Sequence, residues 1–225
     1  MRKMRDLRIL IAGLATVAVF VLWTVLISYV DVRPIGPEGS QVGFAALNGA
    51  VHRLTGVNMT LYVITDWLGL VPMGFIVGFA ILGLVQLIKR KSLLKVDPDI
   101  LMLGVFYIVV MAAYLFFESH TVNYRPVLIN RFLEASYPSS TTLLVMCVIL
   151  TAIIQLESRI RTKILRKTFI CILTVFAVLM VAGRLVSGVH WITDIIGGII
   201  LSSGLVIMYS GITGLVNRKM TIQWI

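Results

Sequence analysis

The chain has 225 residues, of which 59% are apolar and 13% are charged. Soluble domains are typically about half apolar and a quarter charged, so this composition excludes an ordinary soluble protein and indicates a membrane protein. The net charge of +10 is compatible with nucleic-acid binding, but membrane insertion also concentrates lysine and arginine on one side of the bilayer.

Six stretches are long and apolar enough to cross a membrane. A helix needs roughly 20 apolar residues to span about 30 Å of hydrocarbon, and lipid offers backbone groups no partner outside a helix or a closed barrel. The predicted fold is therefore an all-α membrane protein with six transmembrane helices in one domain, residues 1–225. The predicted spans are Leu7–Val30, Trp67–Ile88, Ile100–Phe117, Thr141–Leu156, Thr168–Val186 and Trp191–Leu215.

The distribution of lysine and arginine predicts the orientation of these spans. Fifteen of the 20 lie at the two termini and in the second and fourth connections. By the positive-inside rule, both termini of this multi-pass cell-membrane protein are cytoplasmic and the odd-numbered connections face outward. Because this asymmetry accounts for most of the charge, no nucleic-acid partner is expected. The remaining five are Arg33, Arg53, Arg125, Arg131 and Arg184.

Residues 1–66 are expected to form an anchor helix and an outward loop. The first apolar run is too long for a signal peptide and shows no clear cleavage pattern, which favours a retained anchor. In the loop, "QVGFAALNGAVHRL" places Phe44, Leu47, Val51 and Leu54 on one helical face. This pattern suits a helix in the outer headgroup layer, and equally a helix packed over the bundle.

The fifth connection, "GRLVSGVHWITD" at residues 183–194, carries polar residues that packing does not require. His190 and Asp194 are four residues apart and share one helical face. A carboxylate there can accept from one imidazole nitrogen and leave the other free as a nucleophile or base. Arg184 lies at the end of the preceding helix. A charged side chain at the membrane edge costs free energy unless it has a partner or a functional role. The alternative is a polar cap in which His190 is paired with Asp194.

The third connection, residues 118–140, holds a second group of candidates. Arg125, followed by a proline, offers a planar fork of donors that suits a phosphate. Pro138, Ser139 and Ser140 are predicted to open the fourth helix, where serine hydroxyls and free amides at the positive dipole end bind oxyanions. The plainer interpretation is helix capping alone, and an outward arginine by itself equally suits a lipid headgroup.

These residues resemble the three motifs of the type 2 phosphatidic acid phosphatase family, the membrane relatives of vanadium-dependent haloperoxidases. The family motifs are K-x6-R-P, P-S-G-H and S-R-x5-H-x3-D. The matching residues here are Glu118, Arg125 and Pro126, then Pro138, Ser139, Ser140 and Thr141, then Gly183, Arg184, His190 and Asp194. The resemblance spans roughly residues 68–215. It implies a haloperoxidase-like helical bundle with a phosphatase core at 67–215 and a cytoplasmic tail at 216–225.

The resemblance also implies a role for each matching residue. His190 would attack phosphorus and form a phosphohistidine, while Asp194 would hold the imidazole ring. The phosphate would be held by Arg125, Ser139, Ser140 and Arg184. No metal or other cofactor is implied, because fixed positive charge would stabilise the transferred phosphoryl group.

Departures from the motifs bear on activity. Glu118 brings a negative charge where the family has lysine, and Arg131 on the same loop is a candidate replacement for that positive charge. Gly183 replaces a serine and removes one possible hydrogen bond. Thr141 replaces the histidine that protonates the leaving group, and general acid help is typically worth about 10²–10⁴ in rate. His120, on the same loop, is a candidate substitute donor.

The leading prediction is a membrane-embedded phosphatase for a lipid phosphate or diphosphate in the outer leaflet, with reduced or abolished activity if residue 141 must supply a proton. Candidate substrates are a bacterial polyprenyl diphosphate, such as undecaprenyl diphosphate, and a phosphatidate-like lipid. A leaving phosphate, with a pKa of about 6, needs less protonation than an alkoxide, so Thr141 favours diphosphates. The alternative is a catalytically silent relative that binds, senses or moves phosphorylated lipids. A transporter has less support, because no internal repeat is present.

Overall fold

The computed structural model describes residues 2–223, with side chains for residues 3–217. The fold is all-α, as predicted: the described residues form helices, two short 3-10 turns and only isolated β-bridges. The helices are α1 (Arg2–Tyr29), α2 (Ala45–Thr55), α3 (Met59–Leu68), α4 (Leu70–Arg90), α5 (Pro98–Ser119), α6 (Ser140–Arg159), α7 (Lys163–Val186) and α8 (Ile192–Gln223).

Six helical segments of the described chain are long and apolar enough to span a membrane, which confirms the predicted number. Several helices extend beyond the predicted spans, because charged residues can continue a helix into the headgroup region. Thus α7 begins at Lys163, and α8 continues to Gln223 without a break at residue 216. Residues 1, 224 and 225, and the side chains of Arg2, Arg218 and Lys219, lie outside the described part of the molecule.

The second span begins at Met59, so the predicted start at Trp67 was wrong. It consists of α3 and α4, which are separated by the turn residue Gly69. Pro72 has no N–H to donate to the carbonyl four residues before it, and this favours a break in the helix. The sequence analysis placed Asp66 at the end of the outward loop, but the residue lies within α3.

Helices α6 and α8 form the interior of the bundle. Their spans are 56% and 50% buried, against 11–22% for the other four. Helix α1 packs along α8 at close range, since side chains at Gly13 and Gly211 would overlap Met208 and Leu10 respectively. Small residues allow this approach, as is common between helices in membranes.

Helix α2 packs on the bundle through its polar face. Asn48 is fully buried, and its amide Nδ2 donates to Thr193 Oγ1 at 3.0 Å near the start of α8. Leu47 and Leu54, on the predicted apolar face, are exposed. A buried helix start needs polar partners, which explains why the polar face turns inward. Phe44, on the same predicted face, instead stacks on Trp23 of α1 with the ring centres 5.2 Å apart. The predicted apolar face is therefore exposed at Leu47 and Leu54 and packed on the bundle at Phe44.

The first, third and fifth connections meet at one end of the bundle. Asn58, before α3, donates its backbone N–H to the carbonyl of Ser187 at 2.9 Å. Ser139, before α6, donates its backbone N–H to the carbonyl of Asp194 at 3.1 Å. These bonds join segments that are distant in sequence and bring together the polar residues of the two motif-bearing connections.

Candidate active site

A tight turn between α7 and α8 positions His190. Gly188 in this turn has φ +67, in the left-handed region that favours glycine. A side chain at residue 188 would also overlap the carbonyl of Gly56. The turn therefore lies against the segment before α3, and His190 is 3% exposed beside the first turn of α8.

Ser136 links His190 to Asp194, and the direct hydrogen bond expected from their spacing is not formed. The imidazole Nδ1 lies 3.9 Å from Asp194 Oδ2, which exceeds hydrogen-bonding distance. Ser136 Oγ lies 3.1 Å from Nδ1 and donates to Asp194 Oδ2 at 2.5 Å. Since its single proton goes to the carboxylate, the hydroxyl accepts from Nδ1–H.

The other imidazole nitrogen faces Arg125. The guanidinium Nη1 is 3.3 Å from His190 Nε2, and a guanidinium can only donate, so Nε2 carries the lone pair. Burial, followed by the charges of Arg125 and Arg184, lowers the pKa of His190 well below 6.5. The imidazole is therefore neutral near pH 7, with its unprotonated nitrogen directed at an arginine.

Asp194 is fully buried and has three donors. Besides Ser136, Asn123 Nδ2 donates to its Oδ1 at 3.2 Å, and the backbone N–H of Trp191 donates to Oδ2 at 2.9 Å. These bonds offset the cost of burying a carboxylate. Asp194 thus holds the start of α8 together with the third connection, and acts on the imidazole through Ser136.

Arg125 is held by the loop between α5 and α6. Its backbone N–H donates to the carbonyl of Glu134 at 3.0 Å, and its Nε lies 3.1 Å from Glu134 Oε2. This second contact is an ion pair without hydrogen-bond alignment, because Nε has no hydrogen-bond partner among the described atoms. Arg125 is 8% exposed, so one carboxylate and the loop backbone fix a nearly buried guanidinium.

Arg184, at the end of α7, is directed towards α3. Its Nη1 donates to Thr65 Oγ1 at 3.3 Å, and its Nη2 lies 3.6 Å from Asp66 Oδ1. The guanidinium carbon atoms of Arg184 and Arg125 lie 4.8 Å and 5.9 Å from the centre of the Tyr62 ring. The two arginines thus converge on one aromatic ring beside His190, an arrangement that suits an anion with several oxygens.

Gly183 explains how α3 reaches Arg184. A side chain at residue 183 would lie within 2.8 Å of Thr65 Cγ2. The departure from the family serine therefore removes a potential hydrogen bond but permits close packing of α3 on α7.

Ser139 caps α6, whereas Ser140 and Thr141 begin the helix. The Ser139 hydroxyl accepts from the backbone N–H of Thr142 at 3.4 Å and from its hydroxyl at 3.1 Å. Pro138 precedes the cap, so its predicted place in the first helical turn was wrong. The capping interpretation describes Ser139, whose hydroxyl and amide are both engaged within the fold.

An apolar cavity of about 420 Å³ begins beside Ser140 and Thr141 and lies between α3, α4, α5 and α6. Asp66 and Tyr114 also lie on its wall. Its size is within the range of small-molecule sites. The remaining lining residues are Gly69, Leu70, Met73, Ile76, Tyr107, Val110, Met111, Leu143 and Leu144.

Three further residues of the third connection bear on the charge and the proton donor of the site. Glu118 is exposed and shares a narrow crevice with Ser136 and Ser140, so a negative charge lies beside the site. Arg131 lies at an exposed turn and forms no ion pair with the described side chains. His120 Nδ1 lies 3.0 Å from the Phe116 carbonyl, and its ring stacks on that residue at 4.5 Å. The imidazole therefore caps α5 and does not contact His190.

Sequence reasoning missed six residues of the cluster. Ser136, Asn123 and Glu134 lie in the third connection, but only the contacts of the folded chain show their roles. Tyr62, Thr65 and Asp66 lie on α3, where a spacing of four residues places Tyr62 and Asp66 on one helical face. That spacing was a usable signal, but the segment was assigned to a loop.

Comparison with known proteins identifies the family. The sequence model of the PAP2 superfamily matches residues 101–217, just over half of the chain. Among solved structures, the chain is similar to the first transmembrane PAP2 type phosphatidylglycerolphosphate phosphatase from Bacillus subtilis. The TM-score is 0.61 and the identity 17%, over 92% of this chain and 96% of that one. No curated protein sequence matches. The motif resemblance is thus confirmed at the level of the family, and the chain belongs to the PAP2 superfamily.

Proposed function

We propose that this protein is a lipid phosphatase that removes a phosphate or diphosphate headgroup through a phosphohistidine on His190. Membership of the PAP2 superfamily supports a membrane lipid phosphatase in general terms. The Bacillus subtilis protein with the similar fold is named for a phosphorylated lipid. A phosphorylated lipid in the bilayer is therefore the proposed partner.

One observation carries the proposal: His190 Nε2, which holds the lone pair, lies 3.3 Å from Arg125 Nη1. Arg184 is directed towards the same site. A neutral, buried imidazole with a fixed tautomer is a competent nucleophile. The positive charges of two guanidiniums stabilise the phosphoryl group in the transition state of its transfer.

The reaction begins when a phosphoryl oxygen replaces His190 Nε2 as the acceptor for Arg125. This exchange frees the nitrogen lone pair, which attacks phosphorus in line with the leaving group. Arg125 and Arg184 then bind the phosphoryl oxygens. Ser136 keeps accepting from Nδ1–H, so that the ring holds its orientation while it carries the phosphoryl group. Water later attacks the phosphohistidine and releases phosphate.

The cavity that begins at Ser140 and Thr141 is the proposed place for the lipid chain. The cavity has an apolar wall and a volume of about 420 Å³, which suits part of a polyprenyl or acyl chain. At its polar end lies Asp66, which contacts Arg184. The positive-inside distribution of lysine and arginine supports a site at the outer face with cytoplasmic termini. A polyprenyl diphosphate and a phosphatidate-like lipid both meet these requirements.

A catalytically silent lipid binder is the second candidate. In its favour, Arg125 covers the nucleophilic nitrogen, and carboxylates lie against both arginines: Glu134 at Arg125 and Asp66 at Arg184. A phosphate must compete with these partners, and Glu118 adds further negative charge nearby.

Phosphate release by the purified protein in detergent separates the two candidates. A polyprenyl diphosphate and phosphatidate are supplied to the wild type and to His190→Ala. We expect release from at least one lipid, with a loss of several orders of magnitude in the variant, since nucleophilic catalysis is removed. Release that persists unchanged in His190→Ala contradicts the mechanism. Lipid binding without release supports the silent binder.

A further inference from the structure

We infer that Asp66 protonates the leaving group, a role that rests on the proposed phosphatase function. Asp66 lies on α3, outside the three motifs that carry the family resemblance. The inference concerns the phosphate monoester reaction, in which the leaving group is the alkoxide of a lipid.

An alkoxide needs a proton as its bond to phosphorus breaks. The leaving oxygen lies opposite the attacking Nε2 of His190, because phosphoryl transfer proceeds in line. The lipid chain continues from that oxygen. The proton donor must therefore lie where the chain leaves the phosphate site and enters the apolar cavity.

Among the described residues that line this cavity, Asp66 is the only carboxyl group. The hydroxyls of Ser140 and Thr141 do not ionise near neutral pH. The phenols of Tyr107 and Tyr114 belong to a class that ionises near pH 10, so they are poorly matched to this task. The residue types around the cavity thus leave Asp66 as the group suited to exchange a proton.

Asp66 is also close to the phosphate clamp. Its Oδ1 lies 3.6 Å from Arg184 Nη2, and its side chain is 62% exposed. If Arg184 binds a phosphoryl oxygen through one nitrogen while another nitrogen stays near Asp66, the carboxyl group and the phosphate lie on the same guanidinium group. Glu134 and Asp194 are less suitable, since neither lines the cavity and Asp194 is fully buried.

Substrate binding can free Asp66 from Arg184. The contact between Asp66 Oδ1 and Arg184 Nη2 is longer than a hydrogen bond, so the guanidinium can turn to a phosphoryl oxygen. The carboxyl group then lies beside the phosphate and can face the leaving oxygen. Close packing at Gly183 keeps α3, and with it Asp66, in this position.

The protons and electron pairs balance over two steps. In the first, His190 Nε2 bonds to phosphorus, the bond to the lipid oxygen breaks, and that oxygen takes the proton of Asp66. In the second, the Asp66 carboxylate removes a proton from water as the water oxygen attacks phosphorus. The nitrogen–phosphorus bond then breaks, inorganic phosphate leaves, and Asp66 is protonated again.

The test compares two soluble esters, decyl phosphate and 4-nitrophenyl phosphate, with wild type and Asp66→Asn. An aliphatic alkoxide needs a proton donor, whereas nitrophenolate leaves without one. In Asp66→Asn, we expect kcat/KM for the alkyl ester to fall by a factor of roughly 10²–10⁴. This loss should exceed the loss of kcat/KM for the aryl ester by at least about tenfold. Asp66→Glu should retain most of the alkyl activity.

Two further variants separate proton donation from support of Arg184. Glu134→Gln, which removes the carboxylate at the other arginine, should change both esters by the same factor. Thr141→His in the Asp66→Asn background should restore alkyl turnover, because it places an imidazole on the same cavity wall. Equal losses for both esters in Asp66→Asn, or no loss, contradict the inference. Wild-type protein that releases phosphate from a lipid diphosphate but cleaves neither ester contradicts the inference and leaves the proposed function standing. Wild-type protein that releases no more phosphate than His190→Ala from the esters, the diphosphate and phosphatidate contradicts both.

Discussion

At His190, the two ring nitrogens have different partners and therefore different tasks. Nδ1 donates to Ser136, and Nε2 faces Arg125. Because the hydroxyl of Ser136 donates its hydrogen bond to Asp194, it can only accept from the ring, so the carboxylate fixes the tautomer without a direct hydrogen bond to the imidazole. In the proposed mechanism, the position of a single serine thus decides which nitrogen is available to phosphorus.

Replacement of Ser136 by alanine tests this relay. The change leaves Nδ1–H and Asp194 Oδ2 without their shared partner, and a hydrogen bond to a charged group is worth about 1.5–3 kcal/mol. We expect kcat to fall roughly 10- to 100-fold, with KM little changed. Ser158→Ala is the control, since Ser158 lies near the other end of α6 and its hydroxyl donates to the carbonyl of Gln155. Equal activity of Ser136→Ala and wild type would show that Asp194 needs no intermediary.

The pH dependence of kcat/KM tests the state of the imidazole, because this quantity reports groups of the free enzyme. Burial and the two arginines lower the pKa of His190 well below 6.5. The nucleophile therefore remains neutral as the pH falls through 6.5, and activity declines only when Nε2 takes a proton at lower pH. After correction for ionisation of the substrate phosphate, an acid limb centred at or above pH 6.5 would contradict this assignment.

At the scale of helices, the approach of α3 to α7 joins two parts of the molecule that the motifs do not connect. Thr65 packs against Gly183, and its hydroxyl accepts from Arg184. The same packing brings Asp66 to the other end of that guanidinium. The direction of Arg184 is thus set by a helix outside the family motifs.

A large side chain at residue 183 should separate the two helices. We expect Gly183→Leu to lower the free energy of unfolding by about 1–3 kcal/mol, the usual cost of overpacking, and to lower kcat/KM for every substrate. Thermal unfolding in detergent and phosphate release measure the two effects. Gly104→Leu is the matched control, because a side chain there meets nothing within 4 Å. Equal behaviour of the two variants would contradict the role of this contact.

The sequence predicts the helices better than the contacts between them. Each apolar run satisfies a local requirement, the thickness of the hydrocarbon, so six spans are predictable from composition alone. The start of the second span was misjudged because the partner of Asp66, Arg184, lies 118 residues away along the chain. The motifs likewise predict His190 and Arg125, which lie together in the fold, but the position of Ser136 between His190 and Asp194 depends on how distant segments fold together.

At the scale of the molecule, the connections that carry the site lie together at one end of the bundle, opposite the strongly basic connections. The proposed orientation follows from this charge distribution. A lipid in the outer leaflet would then reach the cavity from the side and present its headgroup to both arginines.

Single cysteines introduced at the two ends test the orientation. With Cys147 and Cys171 replaced, Arg131→Cys should react with a membrane-impermeant thiol reagent added to intact cells. Lys91→Cys, in the connection between α4 and α5, should react only after the membrane is opened. Labelling of Lys91→Cys in intact cells, with Arg131→Cys protected, would reverse the orientation.

Isolation of the covalent intermediate tests the central claim most directly. Protein mixed with a substrate labelled in the departing phosphoryl group is quenched with alkali within one turnover, and the labelled peptide is identified by mass spectrometry. We predict an alkali-stable phosphoryl group on His190 that is absent from His190→Ala. A label on another residue, or steady turnover without any label on His190, would contradict nucleophilic attack by this imidazole.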